Sequence, residues 1–276
     1  MSLERLDLEV ASPVLRVVQV TDTHLNESEG GTLLGLDTDF TLQHVLALVK
    51  SEREQIDLVL GTGDISDHGS RRAYQRARDY FAQLADDSVW LVGNHDERGA
   101  MIEELGHKGA LVRVVYAGNW QIVLLDSQMP GKVGGHLGQA ELDWLQSCLA
   151  DAQANNLQVL VCLHHQPVKV GSAWIDEQLV ADSADFFAII DSCAAVRGVL
   201  WGHVHQHIDT ERNGVRLMST PSSCIQFAQF SEEFRVDGQS PGYRWLDLHP
   251  DGTIDTGVSR VTGVDFGIDL NSTGYA

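Results

Sequence analysis

The sequence predicts an α/β fold, a strand–helix core whose sheets finish in antiparallel strands. Three observations point there. Short β-branched runs alternate with helix-period segments as far as Trp201. Beyond Gly214 the pattern becomes strand-rich. Asp, Asn and His residues fall directly after successive strands, several of them behind a glycine. The alternation suits parallel strands covered by helices, and the late strands add antiparallel pairs.

Each element follows from local pattern. Val14 to Val20 reads as a strand, and Thr38 to Glu54 as a helix with Leu42, Val45, Leu46 and Val49 on one face. Ile56 to Leu60 is a second strand. Arg71 to Ala85 is a second helix, carrying Tyr74, Ala77, Phe81 and Leu84. Val89 to Val92 is a third strand. Val112 to Tyr116 and Gln121 to Leu125 read as a hairpin turned at Ala117-Gly118-Asn119. Gln139 to Gln153 repeats Leu142, Leu145 and Leu149 at helical spacing; Gln158 to Leu163 is a buried strand. Gln178 to Cys193 reads as largely helical and Gly198 to Trp201 as a strand. Val215 to Met218, Tyr243 to Leu248 and Thr253 to Val258 complete the strands.

The chain has 276 residues, a length one α/β domain reaches, so residues 1–276 are expected to form a single domain. Its core spans about residues 14–260, followed by a Gly-rich tail at 262–276 that is expected to fray. Acidic residues outnumber basic ones 39 to 19, a net charge of −20. That excludes a basic nucleic-acid face and attraction to an anionic membrane. No apolar run approaches the ~18 residues of a membrane span. The N-terminus lacks a basic segment followed by an apolar one, and Cys148, Cys162, Cys193 and Cys224 form no CxxC pair. Reduced thiols in a cytoplasmic protein are the expectation. With 12 His against 4 Cys, metal ions are the obvious source of positive charge for an anionic substrate.

The chemistry sits at strand ends. Asp22 and His24 follow the first strand, Asp64 the second, and Asn94, His95 and Asp96 the third. His164 and His165 follow the strand ending at Leu163; His203 and His205 follow the one ending at Trp201. In open α/β sheets ligands bind at the carboxyl ends of strands. Singly these pieces are ordinary turn chemistry. Together, the order D-x-H, GD, GNHD, HH-x-P and GH-x-H describes one site. Asp22, His24, Asp64, Asn94, His164, His203 and His205 offer N and O donors without a thiolate, which suits two divalent ions, Mn²⁺, Fe²⁺, Zn²⁺ or Co²⁺, in an open centre. Asp64, central in the order, is the candidate bridge. Two ions ~3.5–4 Å apart can clamp a phosphoryl group and generate hydroxide near neutral pH. Spacing does not decide which of His164 and His165 is the ligand.

These motifs resemble the calcineurin-like metallophosphoesterase superfamily. The flanking stretches 18–25 (VQVTDTHL), 163–167 (LHHQP), 219–227 (STPSSCIQF) and 241–244 (PGYR) are similar to its bacterial class III 3′,5′-cyclic nucleotide phosphodiesterase branch, the cyclic AMP type. The resemblance spans roughly residues 14 to 260. It implies a four-layer αββα sandwich with two mixed β-sheets. It also implies one metal on Asp22, His24 and His205, a second on Asn94, His164 and His203, and Asp64 shared. Iron or manganese is the expected metal. His95 would contact the phosphate and protonate the leaving oxygen, with Asn94 and Asp64 assisting and His24 and His205 also facing substrate. A hydroxide held by the metals would attack phosphorus in line, giving the 5′-monophosphate without a covalent protein step. Gln166 departs from the pattern, where the family often has Pro or His before the proline.

Three functions follow. The first is hydrolysis of a small-molecule cyclic nucleotide. The second keeps the site and takes another diester, such as a glycerophosphodiester, or a monoester. Val92, standing where a protein phosphatase of this superfamily has Arg, argues against a protein substrate. The third is a non-catalytic scaffold. His44, His107, His136, His207 and His249 read as surface or packing histidines. Asp67 and His68 are candidates for lining the entrance. Trp174 reads as packing, with base stacking as the alternative.

Overall fold

A computed structural model describes residues 5–106 and 109–274; His107 lies outside them. The first half runs β1 (Arg5–Leu8), β2 (Leu15–Val20), β3 (Thr32–Leu33), β4 (Leu36–Asp37), α1 (Thr38–Glu52), β5 (Leu58–Thr62), α2 (Arg71–Phe81), β6 (Ser88–Leu91), α3 (Arg98–Leu105), β7 (Val114–Ala117) and β8 (Trp120–Leu124). Next come α4 (Gly138–Asn155), β9 (Gln158–Cys162), α5 (Ala173–Asp176), α6 (Ser183–Asp191) and β10 (Val196–Trp201). The chain closes with β11 (Ile208–Arg212), β12 (Val215–Ser219), β13 (Gln226–Phe227), β14 (Val236–Asp237), β15 (Gly242–Leu248) and β16 (Ile254–Arg260).

Two mixed sheets result. One has seven strands in the order β1-β7-β8-β9-β10-β12-β11, the other five in the order β16-β15-β2-β5-β6. β2, β5 and β6 run parallel, and so do β8, β9, β10 and β12. The late strands β15 and β16 add antiparallel to the free edge of β2, as the strand-rich C-terminal pattern requires.

Strand periodicity sorts side chains into three layers, because alternate residues point to opposite faces. Leu15, Val17, Leu58 and Leu60 from one sheet meet Ile122, Leu124, Leu160 and Leu200 from the other, filling the space between sheets. The intervening Val18, Val20 and Val59 pack beneath α1 and α2 with Leu42, Val45, Tyr74 and Phe81. Val123, Val159, Val161 and Val199 pack beneath α4 and α6 with Leu145, Leu149 and Phe186. Helix, sheet, sheet, helix is therefore the layer order expected. Strands buried on both faces explain why β5 and β9 read as nearly continuous apolar runs and why β2 is apolar but for Arg16 and Gln19.

The differences have local causes. The segment expected to be helical from Gln178 coils up to helix α6 at Ser183 instead. The Asp182 carboxylate accepts the N–H groups of Leu137 (3.0 Å) and Gly138 (2.7 Å) at the start of α4, and the Val180 N–H reaches back to Gln166 O. β11 carries no apolar alternation because it is an exposed sheet edge. No helix among the described residues is long and apolar enough to cross a membrane.

Candidate metal centre

The carboxyl ends of β2, β5 and β6 in one sheet and β9 and β10 in the other converge. Asp22 and His24 leave β2, Asp64 leaves β5, Asn94 and His95 follow β6, His164 follows β9, and His203 and His205 follow β10. Among the described residues, nine non-glycine positions adopt the left-handed backbone, and five of them are Asp22, His24, Asp64, His203 and His205, with φ between 47° and 61°. Such geometry costs about 1–3 kcal/mol per residue and persists where the surrounding fold enforces it. Here it turns each donor back over its strand end.

Space is equally constrained. A Cβ at Gly93 would lie 2.2 Å from Asp64 Oδ1, and one at Gly63 (φ +99°) would lie 2.3 Å from His164 Nδ1. The glycines before Asp64 and Asn94 thus let two loops pass against the donor side chains.

The donors form one continuous buried cluster. Asp22, His24 and His205 offer ligand atoms within 4.8 Å of one another, as do Asp22, Asp64 and His164. Asp64 Oδ2 lies 3.3 Å from His164 Nε2 and 3.9 Å from His24 Nε2, between the two halves. Asn94 Oδ1 is 3.2 Å from His164 Nε2, and Asp22 Oδ1 is 3.4 Å from His205 Nε2. His164, His165 and His203 form a further group. Within the consecutive pair, His164 Nε2 faces Asp64 and Asn94, whereas His165 turns Nδ1 to Ser127 Oγ at 2.8 Å.

The hydrogen bonds behind the rings fix their protons. His164 Nδ1 lies 2.8 Å from Thr62 O, His205 Nδ1 lies 2.8 Å from Ile225 O, and His24 Nδ1 lies 3.2 Å from Asp67 Oδ1. These oxygens only accept, so each Nδ1 carries a proton and each Nε2 is the nitrogen turned into the cluster. The Nε2 atoms of His24 and His205 then meet at 3.3 Å, two potential ligand atoms side by side. His203 Nε2 is buried without a hydrogen-bond partner among the described residues. A cation resolves both features. The donor set therefore fits divalent ions held by N and O ligands.

Electrostatics divide the rings: burial lowers His164, but Asp64 carries it up to about 9. Burial pushes the Asp64 carboxyl up, but His164 and His95 overcome it and hold the group well below its ordinary value. Burial also raises Asp22, which His205 and His164 bring below normal. Burial keeps His24 and His203 below their usual pKa, in the neutral form a ligand needs. Burial likewise lowers His95, yet Asp64 and Asp67 carry it up to about 10.

A profile of the calcineurin-like phosphoesterase family matches residues 15–207, a span that contains all of these donors. The chain belongs to the calcineurin-like phosphoesterase family. As a calcineurin-like phosphoesterase it is 42% identical, over 94% of both chains, to a 3′,5′-cyclic adenosine monophosphate phosphodiesterase of Pseudomonas aeruginosa. It is 38% identical, over 95% of both chains, to the enzyme of the same description in Escherichia coli K12. A 3′,5′-cyclic-nucleotide phosphodiesterase of Nostoc is 37% identical over 90% of this chain and 92% of that one. A dimetal phosphatase from Danio rerio superposes with a TM-score of 0.62 at 17% identity, over 91% of this chain and all of the other, which shows the shared fold.

Three supporting features escaped the sequence reading. Asp67 was a candidate for the entrance; instead it is buried behind two rings, 3.2 Å from His24 Nδ1 and 3.3 Å from His95 Nδ1. Its burial raises the carboxyl, but those histidines hold it far below normal. His68 beside it is exposed. His44, His136, His207 and His249 lie outside the cluster, as expected.

Asp96, last of the GNHD motif, is a loop tie. Its carboxylate accepts from the N–H groups of Ser66 (2.9 Å), Gly93 (2.9 Å) and Ile65 (3.3 Å) and from the Tyr74 hydroxyl (3.1 Å). Replacing Asp96 with Ala strands these buried donors at about 1–3 kcal/mol each. A loss of roughly 3 kcal/mol or more in urea unfolding is the expected outcome; a change under about 0.5 kcal/mol would contradict this role.

The third feature is a directed hydrogen-bond chain under the centre. Gln19 Nε2 donates to Trp201 O (3.2 Å) and Thr62 Oγ1 (2.7 Å). Thr62 then donates to Thr21 Oγ1 (2.7 Å), and Thr21 to Asp22 Oδ2 (2.7 Å). The carbonyl fixes the amide, and one proton per hydroxyl fixes the rest. Thr21→Val removes the final donor and is expected to weaken divalent-metal affinity about 10–100-fold by calorimetric titration, while Thr21→Ser retains it. Equal affinity in both variants would show that the chain does not orient Asp22.

Proposed function

We propose that this chain hydrolyses 3′,5′-cyclic AMP to 5′-AMP with two divalent metal ions. The carrying observation is 42% identity over 94% of both chains to an enzyme described by that activity. The geometry supports the chemistry. Asp22, His24 and His205 would hold one ion, Asn94, His164 and His203 the other, with Asp64 reaching both. Fe²⁺ or Mn²⁺ suits these donors, with Zn²⁺ or Co²⁺ as substitutes. Bound ions supply charge to the phosphoryl oxygens and bring the pKa of water toward neutrality.

The chain's own residues do the rest. The cavity over the cluster has a volume of about 240 Å³, and no lysine or arginine lines it among the described residues. The monoanion of a diester suits this lining better than a terminal monoester dianion. Asn94 turns Oδ1 to His164, which leaves its amide N–H groups for a phosphate oxygen. His95 is pinned by Asp67, with Nδ1 3.1 Å from the carbonyl oxygen, so Nε2 is the nitrogen that would donate to substrate. Water gives up a proton to solvent as its oxygen adds to phosphorus opposite the 3′ oxygen, the P–O3′ bond breaks, and the 3′ oxygen takes a proton from His95, which regains one from solvent. Because both sheets supply donors, one domain carries the activity. Four buried cysteines without a disulfide suit the reducing cytoplasm.

The test is product analysis on 3′,5′-cyclic AMP, 2′,3′-cyclic AMP, glycerophosphocholine and a simple monoester. Metal-dependent 5′-AMP formation, fastest on the 3′,5′-cyclic substrate, is expected. Turnover confined to linear diesters or monoesters would keep the centre and refute the substrate. Full metal occupancy with no turnover on any of them would point to a scaffold.

A further inference from the structure

The cavity has two unlike sides. Asp64, Asn94, His95, His203 and His205 form the polar one; Val133, Trp174, Ile175 and Phe227 form the other, and Gln178 also lines the cavity. Phosphate chemistry needs only the first. The second is joined to the centre by rings: Phe227 stacks on His205 at 4.3 Å and 10°, and Trp174 meets Phe227 edge-on at 5.2 Å.

Trp174 is held rather than loose. Its Nε1 donates to Ser231 Oγ at 3.2 Å, and Phe234 packs on it at 5.1 Å. The short helix α5 that carries it is tied at both ends, first by the Ala173 N–H, which donates to Ser231 O at 2.9 Å. Asp176 accepts from Val170 N (2.6 Å) and Gly171 N (3.1 Å), while Gln166 Nε2 donates to Ile175 O at 2.6 Å. Gln166, the position that departs from the family pattern, thus fixes the backbone next to Trp174. Yet Trp174 is only partly buried and still lines the cavity. A rigid aromatic platform beside a phosphodiester site suits a planar base. Gln178 adds an amide with one donor side and one acceptor side. Adenine offers that same complement on its N6/N7 edge, whereas guanine offers two acceptors there and leaves the glutamine oxygen without a partner.

We propose that this side of the cavity is a base subsite in which Trp174 stacks on the purine and Gln178 reads its edge, favouring adenine over guanine. The proposal rests on the cyclic-nucleotide reading of the centre.

The experiment compares kcat/KM of the metal-loaded enzyme for 3′,5′-cyclic AMP, 3′,5′-cyclic GMP and 1-O-methylribose 3′,5′-cyclic phosphate, which keeps the diester and lacks a base. Trp174→Ala is expected to reduce the ratio of cyclic AMP to the base-free diester by roughly 5- to 150-fold, the worth of one base–aromatic stack. Trp174→Phe should retain most of that ratio. Gln178→Ala, a variant on the half-exposed rim, should reduce the ratio of cyclic AMP to cyclic GMP toward one. Equal loss on all three substrates in Trp174→Ala would overturn the subsite, leaving Trp174 a packing residue. A wild-type enzyme that turns over the base-free diester as fast as cyclic AMP would overturn it too, while keeping the cyclic-diester reading. Turnover of none of the three, with another phosphoester accepted, would sink the substrate reading itself and the subsite with it.

Discussion

Stripping divalent metal with a chelator abolishes phosphodiester hydrolysis, and Mn²⁺ or Fe²⁺ restores it. The expectation comes from proton placement, not from family alone. His24 and His205 each turn Nδ1 to an oxygen that only accepts, so their Nε2 atoms turn to each other across 3.3 Å. Asp22 and Asp64 add two buried carboxylates. Without cations this cluster is a concentration of lone pairs and negative charge shielded from water, which is costly. Binding relieves that cost, so metal should also stabilise the fold. At free metal 100-fold above Kd, one site contributes about 2.7 kcal/mol. For a chain of this size that corresponds to a rise in Tm of roughly 5–11 °C. The check is activity and calorimetric Tm on one stripped and reloaded sample. Full activity in protein shown to be metal-free would refute the account.

His95→Ala lowers kcat by about 10²–10⁴-fold while the metal content of the protein is unchanged. The size is that of general acid catalysis. The separation of effects follows from geometry. The His95 ring turns Nδ1 to Asp67, 3.3 Å from Oδ1, and its backbone N–H donates to Asp64 Oδ1 at 2.8 Å, a bond that alanine keeps. Its imidazole is held protonated by Asp64 and Asp67, at a pKa of about 10. Cations beside Asp64 would offset those carboxylates and bring the proton closer to neutral range, where it can be delivered. Kinetics paired with metal analysis read both quantities. Loss of a metal ion in the variant would make His95 a ligand instead of an acid.

The fold was legible wherever the periodicity had a single cause. β5 and β9 are buried on both faces and announce themselves as apolar runs. The edge strand β11 does not, because Ile208 to Arg212 face water. The donors were legible because a parallel sheet delivers residues just past its strand ends to one place, and five such ends carried Asp, Asn or His. Their supports were not. Asp67 and Asp96 look like ordinary loop acids until the loops are folded back, since their partners, His24 and Ser66, lie 43 and 30 residues away. Gln19 reads as a polar interruption in an apolar strand, and only the approach of Trp201, 182 residues on, gives it work.

The central claim is that five strand ends build one two-metal centre sharing Asp64. Anomalous diffraction from crystals grown with Mn²⁺ tests it most directly. The account predicts two peaks, one among Asp22, His24 and His205 and one among Asn94, His164 and His203, with the Asp64 carboxylate reaching both. A single peak, or a second peak bound by His165 in place of His164, would contradict it.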